Sequence, residues 1–267
     1  MLSRVADSIY WMQRYRERAE NTARLLEVNL YLSADAPAEL GNQWEPIIKT
    51  AGGEEPFKEK YKNFTEKNAV KFLIFDTDNP CSVLSCIRLA RENARSIRET
   101  IAGEMWDEVN TLYLFLLKLS SQKKVDSFHF VLGRVKRQCQ LLTGIADTTM
   151  SHNDAWYFGR VGNLIERADM TTRIVDVKYY MLLPKPEYIG GPFDNIQWSA
   201  LLKSAGALEM YRKIWRQIHY HHVIDFLILN VEFPRSVLSC LARAEKSLTF
   251  ISQKENYVSG THPLEKI

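Results

Sequence analysis

The chain is poor in the features that most quickly assign a function. It has 12 glycines and 9 prolines in 267 residues, too few for a collagen-like, low-complexity or disordered polymer. Its four cysteines, Cys81, Cys86, Cys139 and Cys240, contain no C-x-x-C pair and sit in periodic apolar segments. That pattern excludes a disulfide framework and points to reduced thiols in a cytoplasmic protein. Excess charge is also missing. Thirty-five Lys plus Arg against 32 Asp plus Glu leave +3, too balanced for a sequence-wide attraction to nucleic acid or anionic membrane. The longest apolar run, Leu112 to Leu117, is far shorter than a membrane span. Charges from Arg4 to Glu20 interrupt the N-terminus before a signal-like stretch forms, so a cytoplasmic location is expected. Finally, there is no glycine-rich phosphate loop, no G-x-S-x-G, no H-E-x-x-H and no Cys/His pairing that suggests a nucleophile.

What the chain does have is self-similarity. Glu17 to Arg24 reads ERAENTAR and Glu166 to Arg173 reads ERADMTTR; Trp44 to Gly52 reads WEPIIKTAG and Trp198 to Gly206 reads WSALLKSAG. A third match pairs AVKFLIFDTDNPCSVLSC from Ala69 with VIDFLILNVEFPRSVLSC from Val223. Three matches in one order, at nearly constant offset, predict a duplication. The expected organisation is a single unit spanning 1–267: repeat one over about 3–121, a linking helix over about 126–150, repeat two over about 153–254, and a tail over 255–267. Repeat two ends about one helix short, lacking a counterpart of Ala102 to Leu119.

Apolar residues recur at helical spacing throughout. Val5, Ile9, Met12, Ala19, Ala23, Leu26 and Leu30 make one stripe, with Ser3 as the expected N-cap, and Phe158, Val161, Ile165, Ala168, Thr172 and Val175 repeat it. The first of these helices is apolar on more than one side, which places it inside a bundle. Further helices are expected over Glu104 to Leu119 and Phe128 to Met150, and from Pro80 to Ile101 and Pro234 to Ile251, with each proline in the first turn. Pro184 and Pro186 are expected to end the second Glu-Arg helix, and loops over Asp35 to Asn42, Pro184 to Pro192 and from Glu255. Sustained period-two alternation is absent. The fold class is therefore all-α, a helical bundle built from two tandem pseudo-symmetric repeats.

The candidate site residues are Glu17, Arg18, Glu20, Arg24 and their counterparts Glu166, Arg167, Asp169, Arg173. Three- and four-residue spacings put the acids and bases of each set on neighbouring helical positions, acid before base as such pairs prefer. The leading reading is a partly enclosed charged network that joins two central helices and fixes their register. The alternative is a carboxylate/arginine pocket at the repeat interface, with Glu17 and Glu166 meeting near Arg24 and Arg173, holding a peptide or amino-acid-like ligand and acting on it as an enzyme. A di-metal centre is disfavoured, because no His stands three residues after Glu17 or Glu166, and no metal or cofactor is assigned. The cluster His219, His221, His222 is read as a solvated or partly packed patch rather than a metal site, the Arg88, Arg91, Arg95, Arg98 face as ordinary solvated surface rather than a nucleic-acid site, and Cys86 and Cys240 as core packing.

ERAENTAR, preceded by SRVADSIYWMQRYR and echoed by ERADMTTR, together with the PxSV segments at Pro80 and Pro234, resembles the alpha-E domain family of bacterial all-helical proteins. The family's turn before each motif usually reads Gly-Arg-Tyr; here it is Gln13-Arg14-Tyr15 and Gly162-Asn163-Leu164. The resemblance implies an ATP-grasp-type ligase as partner, and a transglutaminase-like peptidase as a second, in a peptide synthesis, modification or turnover system. It implies an accessory or scaffold role with no catalysis of its own. Any ATP chemistry would belong to the ligase. No membrane partner is implied, and self-association stays open.

Overall fold

In a computed structural model the chain is mostly helical over its described residues, which are 1–35, 44–122, 125, 127–181 and 192–258. Twelve helices follow in order: α1 Ser3–Asp35, α2 Trp44–Thr50, α3 Glu54–Lys60, α4 Glu66–Ile74, α5 Val83–Ser96, α6 Gly103–Ser120, α7 Phe128–Thr149, α8 Asp154–Met181, α9 Pro192–Ser204, α10 Leu208–Ile214, α11 Tyr220–Leu229 and α12 Val237–Val258. Among the described residues there is no strand, and no helix is long and apolar enough to cross a membrane.

Two long helices form the axis. At 33 and 28 residues, α1 and α8 are about 50 and 40 Å long. They run parallel: Ile9 and Gln13 face Gly159, Tyr10 faces Gly162, Arg14 and Arg18 reach Glu166, and Arg167 reaches Glu17. The glycines permit this approach. A Cβ at Gly162 would overlap the Tyr10 carbonyl, and one at Gly159 would crowd the Ile9 and Gln13 side chains. The parallel arrangement needs a return helix, and α7 provides it. Arg16 bonds Cys139 and Glu20 bonds Gln140, while Glu27 pairs with Lys136 farther along, so α7 lies antiparallel on α1.

Around this axis, α5 and α7 pack on α1 with α6 lying over both of them, whereas α12 packs on α8. Leu26, Leu84, Ile87, Leu112, Leu116 and Val131 belong to the largest buried apolar cluster. Met170, Leu202, Tyr211 and Phe226 belong to a second cluster beneath α8.

Several helix starts differ from those expected. Ser3 is the first residue of α1 and does not cap it. Pro80 and Pro234 lie outside the helices they were expected to open, because Ser82 and Ser236 are the caps: their hydroxyls accept from the backbone N–H of Ser85 and Ser239, each at 3.1 Å. The Cys81–Ser82 and Arg235–Ser236 steps follow the prolines, so each proline rigidifies the approach instead of the first turn. At the other end α12 runs on to Val258, past the Glu255 loop start. The expected loops over 36–42 and 184–191, the helix stop at Pro184 and Pro186, and the tail beyond 258 lie outside the described residues.

α2 and α9 end alike. Gly52 and Gly206 have φ of 75° and 64°, and flanking bonds Gly53 N–H to Ile48 O and Ala207 N–H to Leu202 O close the left-handed helix ends that glycine favours.

Candidate functional site

The two Glu-Arg pairs meet at the middle of the α1–α8 contact, and they exchange partners. Arg18 on α1 grips Glu166 on α8 with two bonds, Nε to Oε1 at 2.6 Å and Nη2 to Oε2 at 2.9 Å. Arg167 on α8 grips Glu17 on α1 the same way, at 2.9 and 3.1 Å. Fork-to-fork pairing of this kind fixes geometry as well as charge. Each arginine thus serves the acid of the other helix, which sits next in sequence to the other arginine.

Further arginines close the ring. Arg14 donates to Glu166 at 2.8 Å. Its aligned counterpart on α8 is Asn163, which accepts a bond from Arg167 at 3.4 Å and cannot supply a cation. Glu17 is instead reached by Arg235, from the turn before α12, at 3.1 Å, and by Arg16 at 3.3 Å. Arg235 also donates to Asn21 at 2.8 Å and to Glu20 at 2.7 Å, and Arg24 donates to Glu20 at 2.7 Å. The repeat alignment sets Cys81 opposite Arg235. A guanidinium lacking at Asn163 is therefore supplied from a different element.

Glu17, Glu20 and Glu166 are all but inaccessible, at 0%, 1% and 1% exposure. Burial alone would push the Glu17 carboxyl up, but Arg167, Arg235 and Arg16 outweigh it and hold the group well below the usual carboxylate range. A carboxylate so held stays ionised near neutral pH and has no proton to give, the opposite of what a general acid needs. The expected partly enclosed network is in fact sealed at these three acids.

Two of the eight expected residues stand apart. Asp169 and Arg173 pair with each other at 3.0 Å on an exposed part of α8, away from the buried ring. Arg173 nonetheless lies against Gly52, and Arg24 lies against Gly206, so each Glu-Arg helix ends its motif on the glycine turn of the other half. Glu17 and Glu166 do not face each other across a pocket; guanidinium groups stand between them.

Sequence reasoning missed Arg14, Arg16 and Arg235 as members of the ring. Two of them carry a legible signal: Arg14 stands in the Gln13-Arg14-Tyr15 turn before the first motif, and Arg235 in the PxSV segment where repeat one has cysteine. It also missed Lys178, buried deep on α8, whose Nζ bonds Asp194 at 2.7 Å and Gln197 at 2.6 Å beside Trp198. Burial lowers the Lys178 ammonium's pKa against the opposing pull of Asp194.

The remaining candidates have packing roles. His222 stacks on Trp215 at 5.2 Å. Arg91 bonds Asn110 at 2.7 Å and lies between Trp106 and Tyr113, tying α5 to α6. Burial pushes the Cys86 and Cys139 thiols far above their ordinary range and that of Cys240 up to about 11, so none is a ready thiolate. Among the described residues no group of three or more His, Cys, Asp or Glu is placed to hold a metal ion.

The model of the Alpha-E family, described as a predicted alpha-helical domain with a conserved ER motif, matches residues 1–267, and the chain belongs to that family. No curated protein and no solved structure matches it.

Proposed function

From that family membership we propose that the protein is a helical accessory, or scaffold, that works with an ATP-grasp peptide or amide ligase and catalyses nothing by itself. The two Glu-Arg helices are taken as matching parts of tandem pseudo-symmetric repeats, 3–121 and 153–254, joined by the helix over 126–150 within one unit. The buried acids serve to lock those repeats together.

One observation carries the partner role. Leu84, Ile87 and Ala94 on α5 are buried against α6, whose inward residues are Met105, Val109, Leu112 and Leu116. The aligned residues on α12 are Leu238, Leu241 and Leu248, and they are exposed; Leu241 is 47% exposed where Ile87 is 0%. An open apolar stripe at helical spacing is an interaction surface. The aligned surface in the first half takes an amphipathic helix, so the occupant proposed for α12 is a helix of the ligase with an apolar face like that of α6.

Co-purification of the full chain with an ATP-grasp ligase of the same organism tests this reading. Leu241→Glu places a charge in the stripe without touching the buried ring, and is expected to abolish co-purification while leaving thermal stability unchanged. Retained association would overturn the α12 contact, and no association of the native chain at mild salt would overturn the partnership.

The enzymatic alternative finds less support. It requires a carboxylate free to exchange a proton with a ligand, and Glu17 is held ionised by three arginines.

A further inference from the structure

Along one side of the buried ring runs a groove that shares Glu20, Arg24, Arg167 and Arg235 with it and extends beyond it, away from the α12 stripe. One part, about 270 Å³, is lined by Gln13, Asp147, Trp156, Arg160, Asn163 and Arg243, among others. The next, about 390 Å³, is lined by Glu20, Arg24, Gln140 and Arg235, and the two parts share Thr143 and Arg167. The groove lies between α7 and α8. From Gln140 to Met150 its α7 edge spans ten residues, about 15 Å.

Its charge is not required by the shared fold. Arg160, Arg235 and Arg243 align with Trp11, Cys81 and Leu89 in the first half. Nor is the charge fully satisfied. Among the described residues Arg243 makes no ion pair, and Arg160 only lies over the Trp156 ring, 5.0 Å from its centroid. Arg24 Nε is buried without a hydrogen-bond partner. Five guanidinium groups line the groove; Arg24, Arg167 and Arg235 also pair with Glu17 or Glu20, whereas Arg160 and Arg243 pair with no carboxylate among the described residues.

The arginines are divided between the two parts. Arg160 and Arg243 stand in one, Arg24 and Arg235 in the other, with Gln13, Asn163, Gln140 and Thr143 offering amide and hydroxyl groups along the way. A compact anion would satisfy one group of arginines and leave the other unmatched. An extended peptide advances about 3.3 Å per residue, so about five residues span the groove, placing side-chain carboxylates at both ends and backbone amides against the polar middle. We propose that this groove binds a short extended acidic peptide, with Arg160 and Arg243 recognising carboxylates at one end and Arg24 and Arg235 those at the other. Guanidinium contacts supply the affinity, and the like charge of the lining arginines disfavours basic sequences.

The test uses fluorescein-labelled hexaglutamate and the full chain, read by fluorescence anisotropy. Binding is expected, weakened roughly tenfold by Arg160→Gln and by Arg243→Gln. Lys246→Gln, the same charge change outside the groove, should leave it unaltered. Neither groove arginine belongs to the buried ring, so thermal midpoints should match the native chain. Leu241→Glu points away from Arg243 on α12 and should bind the peptide normally, which separates this inference from the ligase partnership. Absence of hexaglutamate binding would overturn the proposal, as would native affinity in both groove variants. So would displacement of the labelled peptide by inorganic phosphate, or by a hexathymidylate strand, as effectively as by unlabelled hexaglutamate.

Discussion

Glu20 and Asp169 occupy matching places in the two Glu-Arg helices and live in opposite surroundings. Glu20 is enclosed: α7 lies along α1 and brings Gln140 to it, and Arg235 reaches in from the turn before α12. Asp169 pairs with Arg173 at the surface. The same contrast recurs on the flanking helices, where α5 is covered by α6 and, among the described residues, no helix lies likewise over α12. Among the described residues one half is wrapped by helices and the other is more open, although the motifs on both are nearly the same. A motif at a given helical spacing therefore fixes which residues can meet. It does not fix whether water is excluded from them; that is decided by helices elsewhere in the chain.

The sharpest way to break the comparison is to remove matching acids. Glu17→Ala leaves Arg167, Arg235 and Arg16 buried around a missing charge, and a loss of about 3–5 kcal/mol is expected in urea unfolding. Asp169→Ala removes an exposed pair and should cost less than about 1 kcal/mol. Equal losses would mean the ring is not the lock described above.

The flanking helices give the next largest effect. Ile87→Ala opens a cavity under α6 and is expected to cost about 2–5 kcal/mol, whereas Leu241→Ala on open α12 should stay within about 0.5 kcal/mol. Comparable costs would show that α12 is covered in solution.

Acid provides a graded version of the first test. Glu17 is ionised in the fold at pH values where a free glutamate is already protonated, so on acidification the unfolded chain takes up the proton first. The stability that Glu17 contributes is complete above about pH 5 and is lost as pH falls through and below the ordinary carboxylate range. The urea midpoint should accordingly be lower at pH 4 than at pH 7, and an unchanged midpoint would contradict the depressed carboxyl.

Much of the architecture is legible in the sequence because it rests on periodicity. The stripe from Val5 to Leu30 and its echo from Phe158 give α1 and α8, and the absence of alternation gives an all-helical chain. The Glu-Arg pairs were legible as a network for the same reason, since helical spacing alone makes them neighbours. Partner exchange between Arg18 and Arg167 was not, because it depends on two helices running parallel in register, and register came from glycines at 159 and 162 that show no helical signal. Helix starts were misplaced for a local reason. A proline two residues before a serine cap looks like a first-turn proline until the Ser82 and Ser236 hydroxyls are seen bonding the next turn. Arg16 and Lys178 were illegible as buried charges, since nothing in composition tells a solvated cation from one enclosed by a distant carboxylate.

Partner exchange also orders events in time. The residues that neutralise Glu17 and Glu166 lie 150 and 148 positions away along the chain. At about 5–20 residues per second, a ribosome makes that stretch in roughly 7–30 s. During that interval α1 carries an acid with only Arg16 beside it, while Arg167 and Arg235 do not yet exist, so it cannot settle into its final burial. The first half is thus held back from completing its fold until the second is made, and a nascent chain stalled before Arg167 emerges should remain accessible to protease around Glu17.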